Sequence, residues 1–364
     1  MLGISKKHER HLQKWTKHHK TAINIGIAIV GLLLATALVV VVLNYNSPEP
    51  ITATEATTPP KPKPAGPKYY SPLTGVSVPD KTSTEQAVTA VMIENSLAAR
   101  PQSGLKDAGV VFEAIAEGGI TRFLVLYQES RPQLVGPVRS VRLYYVDWVT
   151  PFNASIAHVG GSQAALNLVR GGGYRDIDQF FNGKYYWRAT DRAAPHNVYT
   201  SFDNLDNLNR TRGYTTSTFT AWPRVNGNPA KAPTATTIDV KISGPLYNSH
   251  YEYDKSTNTY KRYEGGTEHL DREAGNITPS VVIVMDTQMQ LVEEDGNREQ
   301  ITTVGSGTTH IFQNGTVITG TWNKADRGSQ IEFLDADGKP VQLVRGQTWI
   351  TAVPANQGGG VSWK

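Results

Sequence analysis

Apolar residues run without a break from Ala22 to Leu43, AINIGIAIVGLLLATALVVVVL, with Asn24 the one strongly polar side chain among them. A helix rising about 1.5 Å per residue over that length spans a bilayer's hydrocarbon core, so residues 22–43 are expected to form a transmembrane helix. A cleavable signal would have a shorter apolar core and a small-residue site after it, and only VVVVLNYN follows Leu38. The span therefore reads as an uncleaved anchor that contacts membrane lipid. Residues 44–69 break the pattern, since SPEPITATEATTPPKPKPAGPK has almost nothing to bury and reads as an extended tether.

From residue 70 to 216 the pattern alternates between short buried strands, as in AVTAVMIE (Ala87 to Glu94) and around Ala154 to Val159, and amphipathic helices with clear punctuation. Ser162 caps SQAALNLVR, which stops at Gly171, and Ser201 caps a second helix that ends at Gly213. Such alternation predicts an α/β domain. Val110 to Gln128, VVFEAIAEGGITRFLVLYQ, reads as two strands joined at Gly118-Gly119. A two-residue turn there sets Ile115 opposite Arg122 and places Glu113 and Glu117 diagonal to that arginine, which predicts a Glu/Arg cluster.

Residues 217–237 read as a linker. Beyond them lie only Thr- and Val-rich strands with turn signals at Asn314-Gly315 and Asp337-Gly338. Residues 238–354 are expected to be a second, all-β domain, a sandwich or open barrel, followed by a tail over 355–364. The expected fold class is thus α+β and multidomain: anchor helix, linker, α/β domain, β domain.

Charge then fixes the orientation. The first twenty residues hold six bases (Lys6, Lys7, Arg10, Lys14, Lys17, Lys20) against Glu9 alone, which keeps residues 1–21 in the cytoplasm and the rest outside. The whole chain carries +4, so the remainder beyond that tail is close to neutral and nucleic acid is not an expected partner. With 0 cysteines, disulfides, thiolate metal sites and a lipid-modified cysteine are excluded.

An outer domain has no cytosolic nucleotides to bind, so its arginines point to phosphorylated lipids, wall polymers or acidic glycans. GPVRSVR presents Arg139 and Arg142 just after a Gly-Pro corner, and Arg122 lies in the hairpin before it. Guanidinium forks suit phosphate, although an ordinary internal ion pair with Glu113, Glu117 or Asp147 would use the same residues. HVGGSQAAL is a second candidate anion seat, in which Gly160 and Gly161 allow close backbone approach beside His158, and Ser162 opens a helix whose amides face the ligand. DRAAPHN gathers Asp191, Arg192, His196 and Asn197 in a Pro-braced loop. Glu113, Glu117, Asp191 and His196 are the candidates for proton or metal chemistry. No metal-ligand spacing, nucleophile elbow or cofactor fingerprint occurs, and no metal or cofactor is expected.

These motifs, in order, resemble the YerB-like lipoproteins, a bacterial two-domain family of unknown function. LTGVSVP, VMIENSLAARPQSGL, FEAIAEGGITRFLVLYQ, GPVRSVR, HVGGSQAAL, APHN and the later GTW and GQTWI carry the likeness over about residues 70–354. The resemblance implies an N-terminal α/β and a C-terminal β domain at the cell surface, and no reaction. It departs at the front, where typical members are anchored through a lipidated cysteine. In layout alone, with no shared motif, the chain is also similar to the LytR-CpsA-Psr phosphotransferases. That analogy supports an alternative in which the outer part is an envelope enzyme acting on a pyrophosphate-linked or glycan substrate.

Overall fold

The computed structural model describes residues 20–45, 68–292 and 298–364. Most of the cytoplasmic tail and nearly all of the tether expected over residues 44–69 lie outside them. The chain divides into two units, residues 1–65 and 66–364. In the first, Lys20–Tyr45 forms one 26-residue helix, α1, and Leu32, Leu33, Leu34 and Leu38 on it are exposed. Its side chains are described at residues 24, 25 and 29–42, and among the described residues no helix is long and apolar enough to cross a membrane.

The second unit is built on strands that alternate or run apolar as the sequence pattern requires. Its elements in chain order are β1 (Thr89–Glu94), β2 (Val110–Glu117), β3 (Ile120–Tyr127), α2 (Leu143–Val149), β4 (Ser155–Ala157), α3 (Gln163–Arg170), β5 (Arg175–Asp176) and α4 (Phe202–Arg212). There follow β6 (Thr237–Lys241), β7 (Ser249–Asp254), β8 (Thr259–Glu264), β9 (Thr267–Glu268), β10 (Val281–Thr287), β11 (Gly305–Gln313), β12 (Thr316–Lys324), β13 (Glu332–Leu334), β14 (Thr348–Pro354) and β15 (Gly360–Trp363). Helix boundaries fall where the caps predict: Ser162 Oγ accepts from the Ala165 amide, Ser201 Oγ from the Asn204 amide, and Gly213 ends α4 in the left-handed region.

The later strands are divided between two sheets, one of which they share with the α/β portion. A ten-stranded sheet runs β13-β12-β11-β10-β14-β2-β3-β1-β4-β5, and a five-stranded sheet runs β9-β8-β7-β6-β15. The junction is parallel pairing of β14 with β2, Thr348 opposite Val110 through Thr351 opposite Glu113. The α/β and β portions thus share one hydrogen-bonded sheet. The reason is visible in both strands: β2 and β14 are buried along nearly their whole length, as strands flanked on both sides and covered on both faces must be. One face of this sheet carries Phe112 stacked on Trp148 of α2, with ring centroids 5.5 Å apart. The other carries Phe123 against Trp349 and Tyr127 against Phe202 of α4.

The β2–β3 hairpin differs from expectation by one residue. Glu117 pairs with Ile120 across the Gly-Gly turn, but Ala116 bulges, so Ile115 faces Thr121 and Ala114 faces Arg122. A one-residue slip moves a side chain to the opposite face of the sheet. Arg122 therefore lies on the face away from Glu113, and the expected cluster of the two does not form. Two tyrosines of α2 hold the bulge: the Tyr144 hydroxyl donates to the Ile115 carbonyl at 2.6 Å, and the Tyr145 hydroxyl to those of Ala114 and Arg122.

Candidate functional site

The strands β2, β1 and β4 are mutually parallel, and their carboxyl ends, with the start of antiparallel β3 between them, form one rim of the sheet. In open α/β sheets ligands bind outside such ends. The segment GPVRSVR crosses this rim. Gly136 has φ +149°, and a Cβ there would meet the Val198 carbonyl at 2.9 Å and the Tyr199 ring at 2.8 Å, so only glycine permits the approach. Val138 then bridges Ile93, and the Arg139 amide donates to the Met92 carbonyl at 2.8 Å. The bend acts as an extra strand beside the end of β1.

Three of its polar contacts, each with a charged side chain, fall on three successive strands. Arg139 Nε lies 3.5 Å from Oε1 of Glu94 on β1. The Ser140 carbonyl accepts from Arg122 Nη1 of β3 at 2.7 Å. Arg142 pairs with Glu117 at the tip of β2, which Arg298 Nε also reaches at 3.2 Å. Burial pushes the Glu117 carboxyl up, but the charges of Arg142 and Arg122 outweigh it and hold its pKa below the usual range. The middle contact has no acid. Arg122 is only 5% exposed, its Nε has no partner, and among the described residues no carboxylate pairs with it. Burial first, then the neighbouring Arg142 charge, lower its pKa to about 10.

Glu94 joins a second group to this rim. Its Oε1 accepts from His196 Nδ1 at 2.9 Å and from Ser96 Oγ at 3.0 Å, and Ser96 Oγ is 3.2 Å from the same ring nitrogen. The geometry is not that of a serine nucleophile, because the serine and the carboxylate meet one nitrogen rather than opposite ones. It orients the imidazole, leaving Nε2 without a partner among the described residues. The His196 and Arg139 side chains are 26% and 28% exposed, while that of Glu94 is buried.

Other candidates are structural. Glu113 is fully buried on β2, where it accepts from Arg262 Nη2 and the Trp349 indole, each at 2.9 Å, on the face away from the rim. Asp191 is exposed and paired with Arg272 at 2.6 Å. Arg192 donates to the carbonyls of Ala99 and Pro101, and Asn197 braces its own loop through Ala189 and Arg192. The HVGG seat is filled by the chain itself. Asp178 Oδ1 accepts from the Gly160 amide at 3.1 Å, and Gly161 lies against the Val141 backbone. His158 is buried with both ring nitrogens engaged, by the Gly160 carbonyl at 2.7 Å and by Asp176 at 2.9 Å. Ser162 serves as the cap of α3. Among the described residues no cluster of three His, Asp or Glu has the arrangement to hold a metal. Two cavities, about 540 Å³ beside Asp239 and His250 and about 490 Å³ around Trp222 and Phe333, are lined by residues outside the rim.

Sequence reasoning missed Glu94 and Ser96. They sit in VMIENS, at the end of an unbroken apolar strand, and an acid in that position was the one available signal.

Fold and rim together define a class: an α/β sheet extended by a β portion, with a cationic rim and no recognised catalytic set. The chain belongs to the DUF3048 family of proteins of unknown function, matching the model of its N-terminal domain over residues 73–215 and that of its C-terminal domain over residues 238–350. It is 34% identical over 292 residues to YerB of Bacillus subtilis (strain 168), which carries the name of a lipoprotein, covering 79% of this chain and 87% of that one. The crystal structure of Bacillus subtilis YerB matches with a TM-score of 0.73 at 31% identity, over 81% of this chain and all of that one.

Proposed function

We propose that the protein is a single-pass, membrane-anchored member of its family whose body lies outside the cell and binds an anionic envelope ligand, such as a phosphorylated lipid, a wall polymer or an acidic glycan, on the rim that GPVRSVR crosses. The observation that carries this reading is Arg122. A guanidinium almost wholly removed from water is costly when no carboxylate touches it and only the more distant charge of Glu117 acts on it, and a ligand anion offsets that cost. Arg139 adds donors at the surface, since its Nε faces Glu94 and its two terminal nitrogens have no partner among the described residues.

The anchor reading rests on the largely apolar run of residues 22–43 within α1 and the basic residues before it. It accords with the lipoprotein name of the Bacillus subtilis relative. A body held at the membrane by a lipid there is held here by a helix, in a chain with 0 cysteines to lipidate.

The test is extraction of the full chain from membranes in mild detergent, with mass analysis of what accompanies it. A phosphate- or carboxylate-bearing envelope species should leave with the wild type and fall about tenfold or more with Arg139→Gln, because a charge-assisted hydrogen bond contributes about 1.5 to 3 kcal/mol. Equal recovery from both would end the proposal.

A further inference from the structure

We infer that Arg139 and His196 form a receptor for a terminal phosphate, the end of a phosphomonoester or inorganic phosphate itself, with His196 Nε2 sharing the proton of the bound group. This rests on the anion-binding function proposed for the rim and adds which anion the rim selects.

The argument starts from Glu94. One carboxylate oxygen gathers the inner nitrogen of each partner, Nε of Arg139 at 3.5 Å and Nδ1 of His196 at 2.9 Å. Each therefore turns its outer nitrogens away from the protein. The two Nη atoms of Arg139 and Nε2 of His196 make no hydrogen bond among the described residues, and both side chains reach solvent. Ser96 Oγ lies 3.2 Å from the same ring nitrogen and helps fix the imidazole in place. A buried acid that orients a guanidinium and an imidazole outward is a preorganised arrangement, and the ordering cost of binding is reduced accordingly.

Neighbouring charges leave these atoms free. On the loop that carries His196, Asp191 is taken by Arg272, Arg192 by two backbone carbonyls, and Arg188 by the Asn197 side-chain oxygen at 2.8 Å. On β1 the acid is Glu94 itself. On the bend the charge is that of Arg139 itself, with Arg142 drawn off to Glu117.

Three outward nitrogens match three terminal oxygens. A guanidinium takes two oxygens side by side, and the third meets Nε2. A phosphomonoester loses its second proton near pH 6, so near neutral pH the bound group can still carry a proton to share with an imidazole nitrogen. One proton can therefore sit on either partner and make the same hydrogen bond. A phosphodiester has only two terminal oxygens and no such proton, and a carboxylate likewise fills the guanidinium and leaves Nε2 idle.

Calorimetric titration of the full chain in detergent micelles at pH 6.5 tests this, with inorganic phosphate and dimethyl phosphate as probes and in two buffers of different ionisation heat. Phosphate should bind with proton exchange. His196→Gln should weaken it about tenfold and abolish the exchange while leaving dimethyl phosphate binding unchanged, and Arg139→Gln should weaken both probes. If His196→Gln binds phosphate as the wild type does, or loses both probes equally, the receptor is refuted and the anion site stands. If the wild type binds neither probe, the anion-site reading fails and this inference with it. A thermal melt accompanies each variant, and His196→Asn is measured in place of the glutamine variant should that one melt early.

Discussion

Replacing Glu113 with Gln tests whether the two family domains are one folded body. Glu113 and Arg262 are both fully buried, Glu113 on β2 of the first domain and Arg262 on β8 of the second, and their 2.9 Å contact ties one to the other. Around the pair, the Trp349 indole donates to Glu113 and lies 4.2 Å from the Arg262 guanidinium carbon, and Arg262 Nε donates to His269 Nδ1 at 2.9 Å. Burial works against the charge of Arg262, but Glu113 and Tyr251 more than offset it and hold the guanidinium firmly protonated. Removing one partner of such a pair costs about 3 to 5 kcal/mol. The lower end applies, since Glu264 lies 3.6 Å from Arg262 Nη2 and can ionise as a substitute once the like charge of Glu113 is gone. A loss of about 3 kcal/mol lowers the midpoint of a body this size by roughly 6 to 12 °C. Near-ultraviolet circular dichroism of the full chain in micelles would follow Trp148 of the first domain and Trp349 of the second through the melt. A single transition, shifted down, is expected. A shift below about 1 °C, or two separate transitions, would refute the shared-sheet account.

Glu264 also makes stability depend on pH. Burial, foremost, and then the charge of Glu113 raise its carboxyl from the ordinary 4.5 to about 7, so the folded state holds the proton more tightly. Its contribution is fully present below pH 4.5 and is lost as pH rises through 7. Urea unfolding should accordingly show Glu264→Gln gaining on the wild type between pH 5 and pH 8, and parallel curves would contradict the assignment. The two arginines of GPVRSVR should separate. Arg142→Gln breaks a largely buried tie to Glu117 and should lower the melting midpoint by several degrees, whereas Arg139→Gln should leave it nearly unchanged, and the reverse order would overturn the division of roles between them. Protease added to intact, wall-stripped cells should remove residues 70–364 and leave a short anchored stub, and full protection of the body would place it on the wrong side of the membrane.

What the sequence made legible was local. Ser162, Gly171, Ser201 and Gly213 bound their helices because a cap satisfies amides or carbonyls within one turn, and Asn314 and Gly315 mark their hairpin because both take positive φ. Register was not legible. Nothing in the arm VVFEAIAE announces the bulge at Ala116, whose carbonyl neighbours are satisfied by tyrosines of α2. Yet that one residue moves Arg122 from the face of Glu113 to the rim. Nor could the pattern show that Asp178 occupies the seat made by Gly160, or that His196 finds Glu94 a hundred residues earlier.

The meaning of GPVRSVR follows from sheet order rather than from the motif. Strands β2, β3 and β1 lie side by side, so Glu117, Arg122 and Glu94 stand in a row, and a bend crossing that row must meet them in turn. Arg142 meets the first acid and Arg139 the last. The chain leaves the bend at Arg142, the extended residue before α2, so the two arginines three residues apart diverge to opposite ends of the row instead of clamping one ligand together. At the centre the bend offers a carbonyl to an arginine, and the row there has a base where its neighbours have acids. Two acids against Arg122, Arg139 and Arg142 leave the rim with a positive charge in excess, and Arg122, as buried as Arg142 but without a carboxylate contact, carries it. A structural clasp alone would be satisfied by the outer two pairs. The surplus is what gives the rim a reason to take an anion.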